Sequence, residues 1–231
     1  MFDKNRHKII LVKILKEIYA QSELGNCLGF KGGTAAFLFY GLPRLSVDLD
    51  FDLLDGEKKD LIFEKLKKIL PEFGTLAEAV EKKNTLFFLV SYGREERNIK
   101  LEISKRSSKA NFTVRSYLGI PVLLMEKKDM LAGKLSAFLT RRKLASRDLF
   151  DLWFFLKNDW EINEEVLKEK TDFNLNQALG KAISKVKEIK KNQLLQGLGE
   201  LLEEKQKLWV KENLSKEVIF YLEYRLKEIG Y

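Results

Sequence analysis

The 231 residues are enough for one large domain or two small ones, and for a real buried core. A composition of 45% hydrophobic and 33% charged residues, with only 3 prolines, excludes a disordered chain and points to a folded, helix-rich protein. The formal net charge of +8 favours an anionic partner, whether nucleic acid, nucleotide or acidic protein.

The single cysteine, Cys27, excludes an internal disulfide. With His7 as the only histidine, a zinc site of about four soft ligands is excluded too. A bound metal must then be held by carboxylates, which points to Mg²⁺ or Mn²⁺. The first residues are polar and charged, unlike a signal peptide. The most apolar runs, 86–90 and 152–156, fall far short of the roughly 20 residues that span a bilayer, so a cytoplasmic protein is expected.

Along the chain, residues 6–20 carry apolar side chains at helical spacing: Ile9, Ile10, Val12, Ile14, Leu15 and Ile18. Residues 28–31 run into Gly32-Gly33-Thr34, and 35–40 read as a short helix closed by Gly41 and Pro43. Residues 47–53 alternate strictly, with Asp48, Asp50 and Asp52 opposite Val47, Leu49, Phe51 and Leu53, which predicts a half-buried strand. A charged amphipathic helix over 57–70 ends at Pro71. Strands are predicted at 85–92 and 98–104, joined by a hairpin loop at 93–97, with one more at 120–124. From residue 126 the pattern is helical: 126–141, 146–157, 161–170, 175–191, 193–211 and 215–229. The fold class is therefore α+β: a small mixed sheet with helices over 1–125, then an all-helical half over 126–231. No linker separates the two.

Three features of the first half belong together. Gly32 and Gly33 precede a helix, where a phosphate can approach the backbone and the unpaired N–H groups favour an anion. Thr34 can cap that helix or donate to a phosphate. Asp48 and Asp50, two apart on one strand, project from one face, and neighbouring carboxylates repel unless a cation lies between them. Glu102, on a later strand with Leu101 and Ile103 facing away, is a candidate third carboxylate that shares a metal and helps to deprotonate an attacking hydroxyl. Each feature also has a plain structural reading: an ordinary turn, a solvated edge, and a surface Glu102 paired with Lys100.

Read as one string, residues 31–51 resemble the signature of the AbiEii/AbiGii toxins, a branch of the DNA polymerase β-like nucleotidyltransferases. The shared pattern is a Gly-Gly-Ser/Thr turn followed by Arg-x-Ser-x-Asp-x-Asp, met here by Arg44, Ser46, Asp48 and Asp50. Residues 126–141 match a second block, in which Lys134 falls where the family has a lysine. Arg147-Asp148-Leu149-Phe150-Asp151-Leu152 matches the family's Arg-Asp-x-x-Asp-Leu. The resemblance implies a toxin with a separate antitoxin, and a transfer of NMP from NTP with release of pyrophosphate. Some relatives modify the 3′ end of tRNA, and others in the superfamily modify proteins or antibiotics. It implies catalytic roles for Asp48, Asp50, Lys134 and Asp151, and nucleotide contacts from Lys31, Gly32, Gly33, Thr34, Arg44, Ser46 and Asp148. Glu102 carries over only weakly, because the family's third carboxylate is less well defined.

The helical motifs make partial physical sense on their own. Lys134 flanks the stripe Leu131, Leu135 and Phe138, so it needs an anionic partner: a triphosphate or a neighbouring aspartate. Ser146 reads as the N-cap of the next helix, which gives Asp148 a structural reason in the first turn. Asp151 interrupts an apolar run and must be paired, with Lys134 or Arg147 as candidates. Lys134 and Asp151 are expected to meet across two packed helices. The clusters Arg141, Arg142, Lys143 and Arg147, and Lys181, Lys185, Lys187, Lys190 and Lys191, could follow an RNA backbone or be solvated helix faces. The expectation is an Mg²⁺-dependent nucleotidyltransferase toxin that acts on RNA, first of all tRNA. The alternatives are a protein or small-molecule acceptor, or a silent module that binds RNA or an antitoxin.

Overall fold

The computed structural model describes residues 3–94 and 96–229, and places the chain in two compact units. The first comprises residues 1–41, 45–107 and 112–125; the second comprises 42–44, 108–111 and 126–231. Two short segments of the first half in sequence, one of them ending at Arg44, thus belong to the second unit.

In the first unit the elements follow as α1 (Lys4–Ala20), α2 (Ser22–Gly25), β1 (Leu28–Lys31), α3 (Gly32–Tyr40), β2 (Leu49–Leu53) and α4 (Lys59–Ile69). Strands β3 (Thr75–Lys82), β4 (Thr85–Ser91), β5 (Ile99–Ser104), β6 (Phe112–Tyr117) and β7 (Ile120–Met125) complete it. The sheet has the order β3-β4-β5-β2-β1-β7-β6 and is mixed: β2 runs parallel to β5 and β1 to β7, and the other pairs are antiparallel.

Helix α1 begins at Asp3, whose carboxylate accepts from the N–H groups of Asn5 and Arg6. Its buried stripe is narrower than the spacing predicts and includes a histidine: His7, Leu11, Ile14, Leu15 and Ile18 are buried, and Ile9 is exposed. One face of the sheet is apolar. Phe30, Leu49, Phe51, Phe88, Leu101 and Ile103 are fully buried there, with Phe63 of α4 against Phe88 and Phe39 of α3 against Phe30. The other face carries the polar partners of the same strands.

Three strands escape the sequence reading: β1, which is short and central, and β3 and β6, which are the two edges of the sheet. An edge strand pairs on one side only, so its alternation is weakly enforced. In β3 a bulge between Leu76 and Glu78 breaks the period as well. Glu95, in the expected 93–97 hairpin loop, lies outside the described residues; the flanking strands β4 and β5 are antiparallel neighbours.

The second unit holds α5 (Lys127–Thr140), α6 (Ser146–Lys157), α7 (Glu164–Thr171), α8 (Leu175–Lys187) and α9 (Glu204–Ile229). The expected helices over 193–211 and 215–229 are one 26-residue helix, and 188–203 contains only short 3₁₀ turns. Val210, Leu214, Val218 and Leu222 form the fully buried stripe of α9 at four-residue spacing. The Trp153 ring of α6 lies tilted against Trp209, with centroids 4.5 Å apart, and donates its indole N–H to Glu217 at 2.7 Å. The expected N-cap of α6 is corrected: the cap position is Ala145, without a side-chain bond, and the Ser146 hydroxyl donates to the Gln193 carbonyl at 2.7 Å. A buried hydroxyl bonds whichever acceptor is at reach, and here that acceptor comes from a distant segment. No helix among the described residues is long and apolar enough to cross a membrane.

Candidate active site

The acidic row lies in the first unit on the polar face of the sheet. Strand register sets it: Asp50 is flanked by Lys31 on β1 and by Glu102 on β5, and Asp52 by Gly29 and Ser104. Side chains directly opposite on neighbouring strands share a face, so Lys31, Asp50 and Glu102 stand side by side. Asp50 and Glu102 are half-buried, whereas their chain neighbours Leu49, Phe51, Leu101 and Ile103 are fully buried on the apolar face. Asp48 precedes β2 rather than belonging to it, a difference from the expected 47–53 strand.

Asp52, which the sequence reading put on the polar face without a role in the site, is 4% exposed and pairs with the Lys31 ammonium. Its second oxygen is buried without a hydrogen-bond partner. A lysine expected to meet a phosphate therefore already holds a carboxylate, which lowers the charge of the row.

Gly32 fits its role tightly. It opens α3 at φ +82°, and a Cβ there would lie 2.5 Å from Oδ2 of Asp50. Only a residue without a Cβ allows the helix start and the carboxylate to come this close. The cap residue of α3, Lys31, makes no side-chain cap bond, so the helix start is not closed by its own cap side chain. Gly33 and Thr34 are buried just behind.

The expectation that the Thr34 hydroxyl faces a phosphate gives way to an internal use. That hydroxyl is fully buried and donates to the backbone carbonyl of Asp48. It stands 2.9 Å from the Ser46 hydroxyl, which must then act as donor, since Thr34 has one proton to give. Thr34 and Ser46 thus pin the approach to β2, and a nucleotide contact from this turn falls to backbone N–H groups.

Gly32→Ala and Gly41→Ala separate strain from crowding. Gly41 also has a left-handed φ, +71°, but nothing lies within 4 Å of its would-be Cβ. Both variants pay a conformational penalty of about 1 kcal/mol. Only Gly32→Ala is expected to displace the Asp50 carboxylate and lose transfer activity at least tenfold, read as initial rate with melting temperature as control. Equal loss in both variants would remove the crowding argument.

The second unit holds a buried ion cluster. Arg44 grips Asp151 with two hydrogen bonds, Nε to Oδ1 at 2.6 Å and Nη2 to Oδ2 at 2.7 Å. Lys134 reaches Oδ2 of Asp151 at 2.8 Å and Oδ1 of Asp148 at 2.9 Å, so the lysine of α5 and the aspartate of α6 do meet. Arg141 lies 2.9 Å from Oδ2 of Asp148, close enough for ionic attraction but not aligned as a hydrogen bond. Asp151 is fully buried and Arg44 is 4% exposed.

Burial works against both charges, yet the partners prevail. Desolvation pulls the Lys134 ammonium down, but Asp151 and Asp148 outweigh it and leave its pKa raised. Desolvation pushes the Asp151 carboxyl up, but Arg44 and Lys134 hold it below the ordinary carboxylate value. These five side chains carry three positive charges against two negative ones. The sequence reading missed the Arg44–Asp151 pair because 107 residues separate the partners.

Among the described residues no three His, Cys, Asp or Glu side chains converge as a closed metal cage. The row offers carboxylates in neighbouring pairs instead. That donor set fits Mg²⁺, which is usually bound by one or two carboxylates and completes its shell with phosphate oxygens and water.

The two basic clusters differ in availability. Arg142 and Lys143 are exposed. Lys185 donates to the carbonyls of Leu139 and Arg141 at 3.1 and 3.3 Å, at the C-terminal end of α5. Lys191 pairs with Glu212, Lys187 approaches Glu223, and Lys181 lies over the Phe173 ring.

Comparison with known proteins supplies a family and a fold. The family described as nucleotidyl transferase AbiEii toxin, Type IV TA system, matches residues 13–215. No curated protein matches the chain. A Helicobacter pylori protein provisionally assigned as a nucleotidyltransferase shares the fold, with a TM-score of 0.61 and 23% identity over 97% of this chain and 95% of that one. JHP933 from Helicobacter pylori is similar with a TM-score of 0.59 and 21% identity, covering 100% of this chain and 98% of that one.

Proposed function

The chain belongs to the AbiEii nucleotidyl transferase toxin family, and on that premise we propose that it transfers NMP from an NTP to RNA, with the 3′ end of tRNA as the first acceptor to test. Membership makes it a nucleotidyltransferase of a toxin–antitoxin system, with NTP as substrate and an antitoxin as partner. The observation that carries the reading is the contact geometry at Gly32. A helix start without a cap side chain sits against Asp50, which has Glu102 as its strand neighbour. A phosphate received at that helix start would meet the carboxylates, an arrangement that makes sense when a cation joins them.

In this reading Asp48 and Asp50 hold Mg²⁺, which when bound would polarise phosphate oxygens and neutralise the triphosphate. Backbone N–H groups at Gly32, Gly33 and Thr34 receive phosphate oxygens, and Ser46 holds Thr34 in place. The acceptor hydroxyl oxygen attacks the α-phosphorus, the bond to pyrophosphate breaks, and the hydroxyl proton passes to Glu102. Asp151 is a poor base for that proton, because two cations hold its carboxylate ionised. Its role is to fix Arg44 and Lys134. The second unit's five-group cluster keeps one unit of positive charge, with Lys134 17% and Arg141 47% exposed at the side chain. Lys134 and Arg44 are assigned through it to nucleotide phosphate, and Asp148 to orienting Lys134. The net charge of +8 supports RNA as the acceptor.

The test is transfer from each of four labelled NTPs to total tRNA with Mg²⁺. Label in tRNA that depends on one NTP supports the proposal. Label on protein and none in RNA moves the acceptor to protein. Label nowhere, with Mg²⁺-dependent NTP binding also absent by calorimetry, overturns the site assignment.

A further inference from the structure

The only histidine lies on the buried stripe of α1 and is fully buried. An imidazole in a helix–sheet core needs partners for both nitrogens. His7 has them: Nε2 is 2.9 Å from the Val47 carbonyl oxygen, and Nδ1 is 2.6 Å from the Tyr92 hydroxyl. A carbonyl only accepts, so Nε2 carries the proton, and neutral Nδ1 accepts from Tyr92. Burial holds the imidazole below its ordinary pKa, which favours this neutral form.

The location of that carbonyl gives the bond a use. Val47 immediately precedes Asp48, and both lie before the first ladder residue of β2, Leu49. Strand pairing fixes Asp50 through Lys31 and Glu102, whereas residues 46–48 precede the strand. Side chains take over there. Thr34 holds the Asp48 carbonyl, Thr34 and Ser46 hold each other, and His7 holds the Val47 carbonyl. The peptide that carries Asp48 is therefore gripped on successive carbonyls from two different helices, α3 and α1.

We infer that His7 is a positioning residue for Asp48: its Nε2–H fixes the Val47–Asp48 peptide so that the Asp48 carboxylate stands ready for a cation. This rests on the reading of Asp48 as a metal ligand. Groups that orient metal ligands from behind typically matter about 10- to 100-fold in metal affinity.

The experiment uses Mn²⁺ alone, titrated into the full chain and followed by electron paramagnetic resonance, with His7→Gln, His7→Asn, Tyr92→Phe and Asp48→Ala. A glutamine amide reaches about as far as Nε2, and an asparagine amide only about as far as Nδ1. The expected result is Mn²⁺ affinity near wild type in His7→Gln and Tyr92→Phe, and at least about tenfold weaker in His7→Asn and Asp48→Ala. Transfer by His7→Asn should recover when Mn²⁺ is raised, which a general folding defect would not allow. Equal affinity in His7→Gln and His7→Asn overturns the positioning role, whatever their melting temperatures. Undiminished affinity in Asp48→Ala overturns the metal reading itself, a separate outcome.

Discussion

Asp48→Ala is expected to abolish nucleotidyl transfer while the protein stays folded. The two halves of that result come from the same charges. Asp48, Asp50 and Asp52 are crowded into five residues, with Glu102 beside Asp50 and Lys31 paired with Asp52. Without a cation the row is a source of repulsion, so loss of one carboxylate should leave the melting temperature unchanged or raise it. With Mg²⁺ and NTP the order should reverse. Ligand that binds only the folded state adds RT ln(1 + [L]/Kd), about 2.7 kcal/mol at a hundredfold excess over Kd. Wild type should gain that increment in melting temperature and Asp48→Ala should not. A variant that still transfers at the wild-type rate, or still shows the Mg²⁺-dependent shift, removes Asp48 from the metal site.

Much of this site can be read in the sequence because its signals are local. A two-residue period places Asp50 and Glu102 on the polar face, and a Gly-Gly turn before a helix marks the side proposed for phosphate. What the sequence conceals is nonlocal. No periodicity says that Arg44 closes on Asp151 or that His7 meets Val47, 40 residues on. Thr34 and Ser46 are visible as candidates, but nothing local says that their hydroxyls face each other and the chain rather than a ligand. One usable clue existed for His7: it extends the helical stripe Leu11, Ile14, Leu15 and Ile18 by one turn, so a buried polar partner could have been sought. The missed edge strands have a parallel cause. β3 and β6 are exposed edges whose burial pattern is set by a single neighbour. The all-helical half was legible as helix throughout, yet 188–203 and the unbroken α9 were not, since propensity does not fix where a long helix starts.

Asp151→Leu should destabilise the second unit by about 3–5 kcal/mol, the usual cost of leaving a buried charge without its partner. The fully buried Asp151 pairs with both Arg44 and Lys134, and its loss leaves two cations facing each other in a largely buried site. The reciprocal change is informative. Arg44→Leu alone leaves Asp151 with Lys134 and should cost less, and Arg44→Leu combined with Asp151→Leu should recover part of the single Asp151 loss. Additive losses in that cycle would mean that the pair is not coupled. The pH dependence has a definite sign on each limb. The Asp151 carboxyl is depressed, so its contribution is present above the unfolded value of about 3.9 and is lost as pH falls through the lower folded value. Lys134 is raised, so its contribution is present below about 10.4 and is lost as pH rises through the higher folded value. Wild type should therefore show a broad plateau between these limits. In Asp151→Leu the lysine loses its chief counter-charge, which is expected to turn its pKa downward, so the variant's stability should rise with pH below about 10.4, where that of wild type is flat. Chemical denaturation at pH 7 and pH 10 compares that rise with a flat wild type, and a variant as flat as wild type would show that Asp148 alone keeps Lys134 charged.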